Sequence, residues 1–154
     1  MITKRMSQLL LLSLSFLLLS CGKNLRPPIN VVAQDQIFYS DESRLTEVTE
    51  MVIRDVETWR QMWGQITGGQ TEPPAVDFGS RMLLLVSGGR MDPGDRIQID
   101  RLEKVGEEIV VTYRVIESSG VLESDVFPVQ VVAVLRRAGQ ARFEAQHIRV
   151  PRSR

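Results

Sequence analysis

From Ile29 onward the pattern of apolar and polar residues is mostly that of strands, alternating in some segments and continuously apolar in others. Ile29–Tyr39 and Leu45–Ile53 predict strands, with Ser40-Asp41-Glu42-Ser43 as the turn between them. Arg81–Ser87 carries an unbroken Met-Leu-Leu-Leu-Val run, the pattern of a central strand covered on both faces. Arg96–Val105 and Ile109–Glu117 follow, joined at Val105-Gly106-Glu107-Glu108, with Ile109, Val111, Tyr113 and Val115 on one face. Pro128–Arg137 predicts another buried strand. Ala138-Gly139-Gln140 then turns it into Ala141–Val150, so the chain is expected to end in a hairpin before a frayed tail.

One segment has a different period. Trp59, Met62, Trp63 and Ile66 fall at i, i+3, i+4 and i+7, one face of a helix. Asp55 stands where an N-cap accepts from first-turn N–H groups, Glu57 favours the positive end of the dipole, and Gly68-Gly69 ends the run. Core packing of the two Trp side chains against a sheet is the expectation, and an exposed Trp pair at an interface the alternative. The fold class is therefore α+β, mostly β: an antiparallel sheet or sandwich of about six or seven strands with one short amphipathic helix on it.

The N-terminus is read apart from the fold. Lys4 and Arg5 precede an almost pure Leu run from Leu9 to Leu19. As a helix that run spans only ~16 Å, too short for a ~30 Å hydrocarbon core, so residues 1–20 are a signal peptide. Leu18-Leu19-Ser20-Cys21-Gly22 resembles the bacterial lipobox, with an aliphatic residue at −3, a small one at −1 and the Cys. The resemblance implies that the Cys21 thiol carries diacylglycerol and that its freed amino group is acylated, giving the several chains that stable anchoring requires. Gly22 stands where an inner-membrane-retaining Asp would, which in a cell with two membranes points to the outer one. Residues 21–28 are the lipidated Cys and a tether stiffened by Pro27-Pro28, and 29–150 form a single domain.

Composition narrows the chemistry. The 154 residues are 43% apolar and 25% charged, with 19 basic against 19 acidic side chains. Removing the signal takes Lys4 and Arg5 and no acid, leaving a slightly acidic chain. Nucleic acid is not an expected partner, since binding it needs a clustered cationic surface. One Cys excludes an internal disulfide, and one Cys with one His cannot make a Cys/His zinc site. No Gly-x-Ser-x-Gly, His-Glu-x-x-His, Walker or EF-hand pattern occurs, and neither a catalytic residue nor a cofactor is expected. His147 shares a strand face with Phe143 and Ala145 and reads as a partly buried or edge histidine. Asp92-Pro93-Gly94-Asp95 brings two carboxylates into one glycine-bearing loop. A hard cation normally draws more oxygen ligands than that, so an ordinary turn is expected.

From Trp59 to Phe143 the chain resembles the C-terminal domain of the PrcB family, lipoprotein subunits of protease complexes. The matching features are Trp59 and Trp63 on the helix, Pro74-Ala75-Val76-Asp77-Phe78, and the strand Met82–Val86 running into Gly88-Gly89-Arg90. Arg96-Ile97-Gln98-Ile99, the Val110–Tyr113 core and a last β segment from Phe127-Pro128 to Phe143 continue the match. Family members carry a Pro-Thr-Gly-Gly-Tyr-like run where this chain has Met91-Asp92-Pro93-Gly94-Asp95-Arg96. The resemblance implies a non-catalytic, lipid-anchored envelope module that binds or stabilises a secreted protease or its complex.

The candidate contact surface is the loop holding Gly88, Gly89, Arg90, Asp92, Gly94, Asp95 and Arg96, whose glycines permit positive φ and a projecting tip. Two other functions fit the same residues. One is a protease inhibitor that inserts sandwich loops into an active-site cleft. The other is a structural envelope lipoprotein whose edge strands pair with an assembly.

Overall fold

Every side chain from Met82 to Ser87 is buried, which requires a layer on each side of that strand. The structure, a computed structural model, describes residues 29–30, 36–118 and 124–151 and supplies both layers. In chain order the elements are β1 (Ile29–Asn30), β2 (Gln36–Ser40), β3 (Val48–Ile53), α1 (Val56–Thr67), β4 (Arg81–Gly88), β5 (Arg96–Val105), β6 (Glu108–Ser118), β7 (Val129–Leu135) and β8 (Gln140–Val150). They build two four-stranded sheets, ordered β2-β7-β4-β3 and β1-β5-β6-β8. The domain is a mostly β sandwich with one helix.

Two cores result, one on each face of the first sheet. Leu83 and Leu85 join Val129, Val131 and Ala133 beneath α1, whose Trp59, Met62, Trp63 and Ile66 are all buried. Met82, Leu84 and Val86 join Val132, Val134, Ile97, Ile99, Leu102 and Val111 between the sheets. The helix ends as the sequence predicts. Asp55 accepts from Thr58 N at 2.8 Å, and Gly68 caps the far end with φ 74°. The Trp pair belongs to the core: Trp59 and Trp63 meet edge-to-face at 5.2 Å, and their indole N–H groups donate to Pro74 O and Thr71 O.

Buried Gln130 helps to join the sheets. The β5–β6 register slips between Ile99 and Arg101, and Ile99 N donates to Gln130 Oε1 at 2.6 Å. Gln130 Nε2 in turn donates to Gln36 Oε1. A bulge frees a backbone N–H, and a glutamine from the opposite sheet satisfies it.

Several expectations are corrected. The terminal hairpin does not form: β8 lies in the other sheet from β7 and runs parallel to β6, from Glu108↔Gln140 to Ser118↔Val150. Gly139 makes the crossing possible, with φ 126° and a position where an added Cβ would strike the Glu107 carbonyl oxygen. Arg54 Nη2 donates to Gly139 O at 2.8 Å, and Arg136 Nη1 donates to Arg54 O, fixing the crossover. Ile29–Tyr39 is not one strand, because β1 pairs with β5 and β2 with β7, in different sheets. β3 starts at Val48, while Leu45 fills the core beside α1 from a loop whose Arg44 N donates to Ile66 O. The 40–43 turn is a pairing segment, with Phe127 N donating to Asp41 O and Ser43 N to Phe127 O. The signal, the lipobox and Cys21 lie outside the described residues. Among the described residues no helix is long and apolar enough to cross a membrane.

Candidate functional site

β3 and β8 are the edge strands on one side of the sandwich, and the gap between them is closed over only part of its length. The Arg54–Gly139 bond shuts one end. Farther along, Tyr113 OH on β6, the strand inside β8, donates to Glu50 Oε1 on β3 at 2.6 Å, joining the two sheets. Burial first, then this carboxylate, push the Tyr113 phenol up and keep it neutral. Beyond that bond the sheets part, leaving an open groove of about 950 Å³.

One wall is the 88–96 loop, and the structure corrects its expected shape. Gly88 ends β4, and its N donates to Pro128 O at 2.9 Å. Gly89 has φ 65°, and an added Cβ would stand 2.8 Å from Val48 N, so the backbone of the β3 entry passes where a side chain would be. Met91 pairs with Val126 through bonds of 2.9 and 3.0 Å and packs against the inter-sheet core. Asp95 N donates to Asp92 O, closing a turn in which Gly94 has φ 93°. Asp95 Oδ1 accepts from Ser118 N at 2.6 Å and from Ser118 Oγ at 3.1 Å. A loop tied at Met91 and at Asp95 does not project. It lies along the sheets and gives the groove a fixed side.

Of the sequence-predicted loop residues, Gly88, Arg90, Asp92 and Asp95 line the groove, and Gly89 shapes the hollow beside it. Arg90 is exposed and donates to Asp125 Oδ2 at 2.7 Å. Asp92 is exposed, and its carboxylate has no partner among the described residues. Gly94 stands at the turn, and Arg96 opens β5 outside the groove, where its charge acts on Tyr39. Of the two loop carboxylates, Asp95 is engaged by Ser118 through Oδ1. Among the described residues no group of three or more His, Cys, Asp or Glu is arranged to hold a metal.

The opposite wall is the part that sequence reasoning missed. The β6–β8 register places Val115 beside His147 and Glu117 beside Arg149. Glu117 Oε1 meets His147 Nδ1 at 3.1 Å, and Glu117 Oε2 accepts from Arg149 Nε at 3.1 Å. These bonds, that from His147 first, hold the Glu117 carboxyl below its ordinary value of 4.5. His147 is an edge histidine, with its side chain 63% exposed. A signal did exist in the pattern. The inward series Tyr113, Val115, Glu117 and Phe143, Ala145, His147, Arg149 both turn from apolar to polar, which marks where the facing sheet has ended.

The arrangement can receive a chain segment or a small ligand over an apolar floor that includes Val48, Met91 and Val115, between two arginines and four carboxylates. Compared with known proteins, the chain matches no family model, no curated protein and no solved structure.

Proposed function

We propose that the protein is a lipid-anchored, non-catalytic module of the cell envelope that binds or stabilises a partner protein through the groove between the 88–96 loop and β8. The observation that carries this reading is the pinning of the loop. Its Met91–Val126 and Asp95–Ser118 bonds hold one wall of a concave surface in place before any partner arrives, which lowers the entropy cost of binding. The basic, Leu-rich leader ending in Leu18-Leu19-Ser20-Cys21 supports the anchor and the envelope location. The resemblance to protease-complex lipoprotein subunits supports a secreted protease or a subunit of its complex as the partner.

A concave surface suits a module that receives a segment of its partner better than an inhibitor that inserts loops into a cleft. Substituting Arg90→Ala together with Asp92→Ala and recovering the protein from native envelopes tests the reading. The expected result is loss of the co-purifying partner at an unchanged melting temperature; undiminished recovery rules the groove out. For the anchor, Cys21→Ala is expected to abolish acyl labelling, and continued labelling refutes it.

A further inference from the structure

The two ends of the sandwich differ. The groove occupies the end where β4, β6 and β8 finish and β5 begins. The other end is built from the start of α1 at Val56, the crossover after Leu135 and the β5–β6 turn after Val105, with Arg54 bonded to Gly139 O between the sheets. Three apolar side chains are exposed there: Val56, Val105 and Leu135, at 49%, 55% and 63%. They stand on three different layers, the helix and each of the two sheets. Only a broad, flat partner meets all three at once.

Charge points to what that partner is. Arg54, Arg81, Lys104, Arg136 and Arg137 gather at the same end, and among the described residues none of them forms an ion pair. Arg136 donates to the Arg54 and Phe78 carbonyls, which hold its charge in place without neutralising it. Glu57 and Glu108 pair with Arg60 and Arg142. The acids that remain are Asp55, Asp77 and Glu107. Asp55 accepts from Thr58 N and Oγ1, and Asp77 from Gly79 N and Ser80 Oγ, so both serve their own turns. Cations are in excess at this end.

The chain also enters the domain here. β1 is antiparallel to β5, with Ile29 opposite Leu102 and Asn30 opposite Arg101, so its first residue is the one nearer Val105. Cys21 stands eight residues before Ile29. That length reaches at most about 28 Å.

We infer that this end of the sandwich docks on the anionic bilayer that holds the anchor, with Val56, Val105 and Leu135 at the headgroups and Arg81, Lys104 and Arg137 against lipid phosphates. This rests on the anchor in the reading above and adds which face meets the membrane. Tethering makes the contact intramolecular, so a shallow apolar and cationic surface suffices. β6 runs between the two ends, and its 11 residues span about 36 Å. The groove therefore opens away from the lipid, and its partner is met on the aqueous side.

The test uses the acylated chain in vesicles of phosphatidylethanolamine and phosphatidylglycerol that contain a headgroup-nitroxide lipid. A thiol-reactive fluorophore reports from Leu135→Cys, from Val105→Cys on another layer, and from Val48→Cys beside the groove. Quenching is expected at positions 135 and 105 and not at position 48. Each cation near an anionic surface is worth about fivefold in the docked-to-free ratio. Lys104→Glu, or phosphatidylcholine in place of the anionic lipid, should lower that ratio by at least as much. Equal quenching at all three positions, or quenching at 135 that ignores both changes, overturns the docking while the anchor stands. Self-quenching at 135 that grows with the protein-to-lipid ratio, without quenching by the lipid, assigns the face to a second copy of the chain and overturns it too. If the fluorophore also labels Cys21 and the chain stays off the vesicles, the anchor falls and the docking with it.

Discussion

Asp95 Oδ1 accepts from the backbone N–H of Ser118 at 2.6 Å, tying the turn that follows β4 to the end of β6, 23 residues away in sequence. The bond turns a glycine-rich connection into a wall. Without it the loop keeps its Met91–Val126 pairing and the exposed Arg90–Asp125 bond, and the 92–95 turn keeps the longer bond from Ser118 Oγ to Pro93 O at 3.3 Å. Asp95→Ala is therefore expected to speed amide exchange at Ser118 and across residues 92–95 while leaving β4 and β7 protected. Asp95→Asn, which keeps an accepting oxygen, should recover much of the protection. Unchanged exchange in the alanine variant would show that the turn holds itself.

Gly89 is the second fixture of that wall. Its φ of 65° costs a residue with a Cβ about 1–2 kcal/mol, and the Cβ would also press on the β3 backbone 2.8 Å away. Gly89→Ala should lower the unfolding free energy by at least that amount in denaturant titration. Gly69→Ala provides the comparison: it shares a positive φ but meets nothing within 4 Å, so its loss should be the smaller of the two.

Beneath the first sheet, Trp59 is fully buried against Trp63 and the β4 and β7 side chains. Trp59→Ala leaves a cavity and strands the Pro74 carbonyl that its indole N–H satisfies, for a cost of about 3–5 kcal/mol. Thermal unfolding checks this. A loss well below 1 kcal/mol would place the indole outside the core.

The acid limb of stability contains a local event at the groove. Glu117 is ionised more readily in the folded chain than its ordinary value of 4.5 allows, because His147 and Arg149 bond to its charged form. A carboxyl lowered on folding stabilises the fold above its unfolded value, and that contribution disappears as pH falls through the folded one. Protection of the His147 and Arg149 amides, relative to the intrinsic exchange rate at each pH, should therefore fall as pH drops below 4.5. Glu117→Gln should flatten that response, and an identical pH profile in the variant would refute the link.

How far the residues foretold this architecture depends on the range of the interactions involved. The helix was legible from Asp55 to Gly68 because its caps and its Trp59–Ile66 face are local. The doubly buried β4 and the β5–β6 hairpin were legible for the same reason. Alternation over Ala141–Val150 shows a strand with an inner face, yet pairing with β7 or with β6 would use the same pattern. What decides between them is Gly139 passing Glu107, a contact between residues far apart in sequence. The groove was half legible. Glycines marked the 88–96 loop, while Glu117, His147 and Arg149 meet only through the parallel register that the hairpin expectation excluded. The bonds that pin the loop likewise come from Ser118 and Val126, which no pattern within the loop reveals.

The measurement that tests the central claim most directly is site-specific photocrosslinking in native envelopes from positions 92 and 147, one on each wall, compared with exposed Lys104 on β5, outside the groove. The groove account predicts one and the same crosslinked protein from positions 92 and 147 and none from position 104. A product from position 104 alone, or no difference among the three positions, would contradict it.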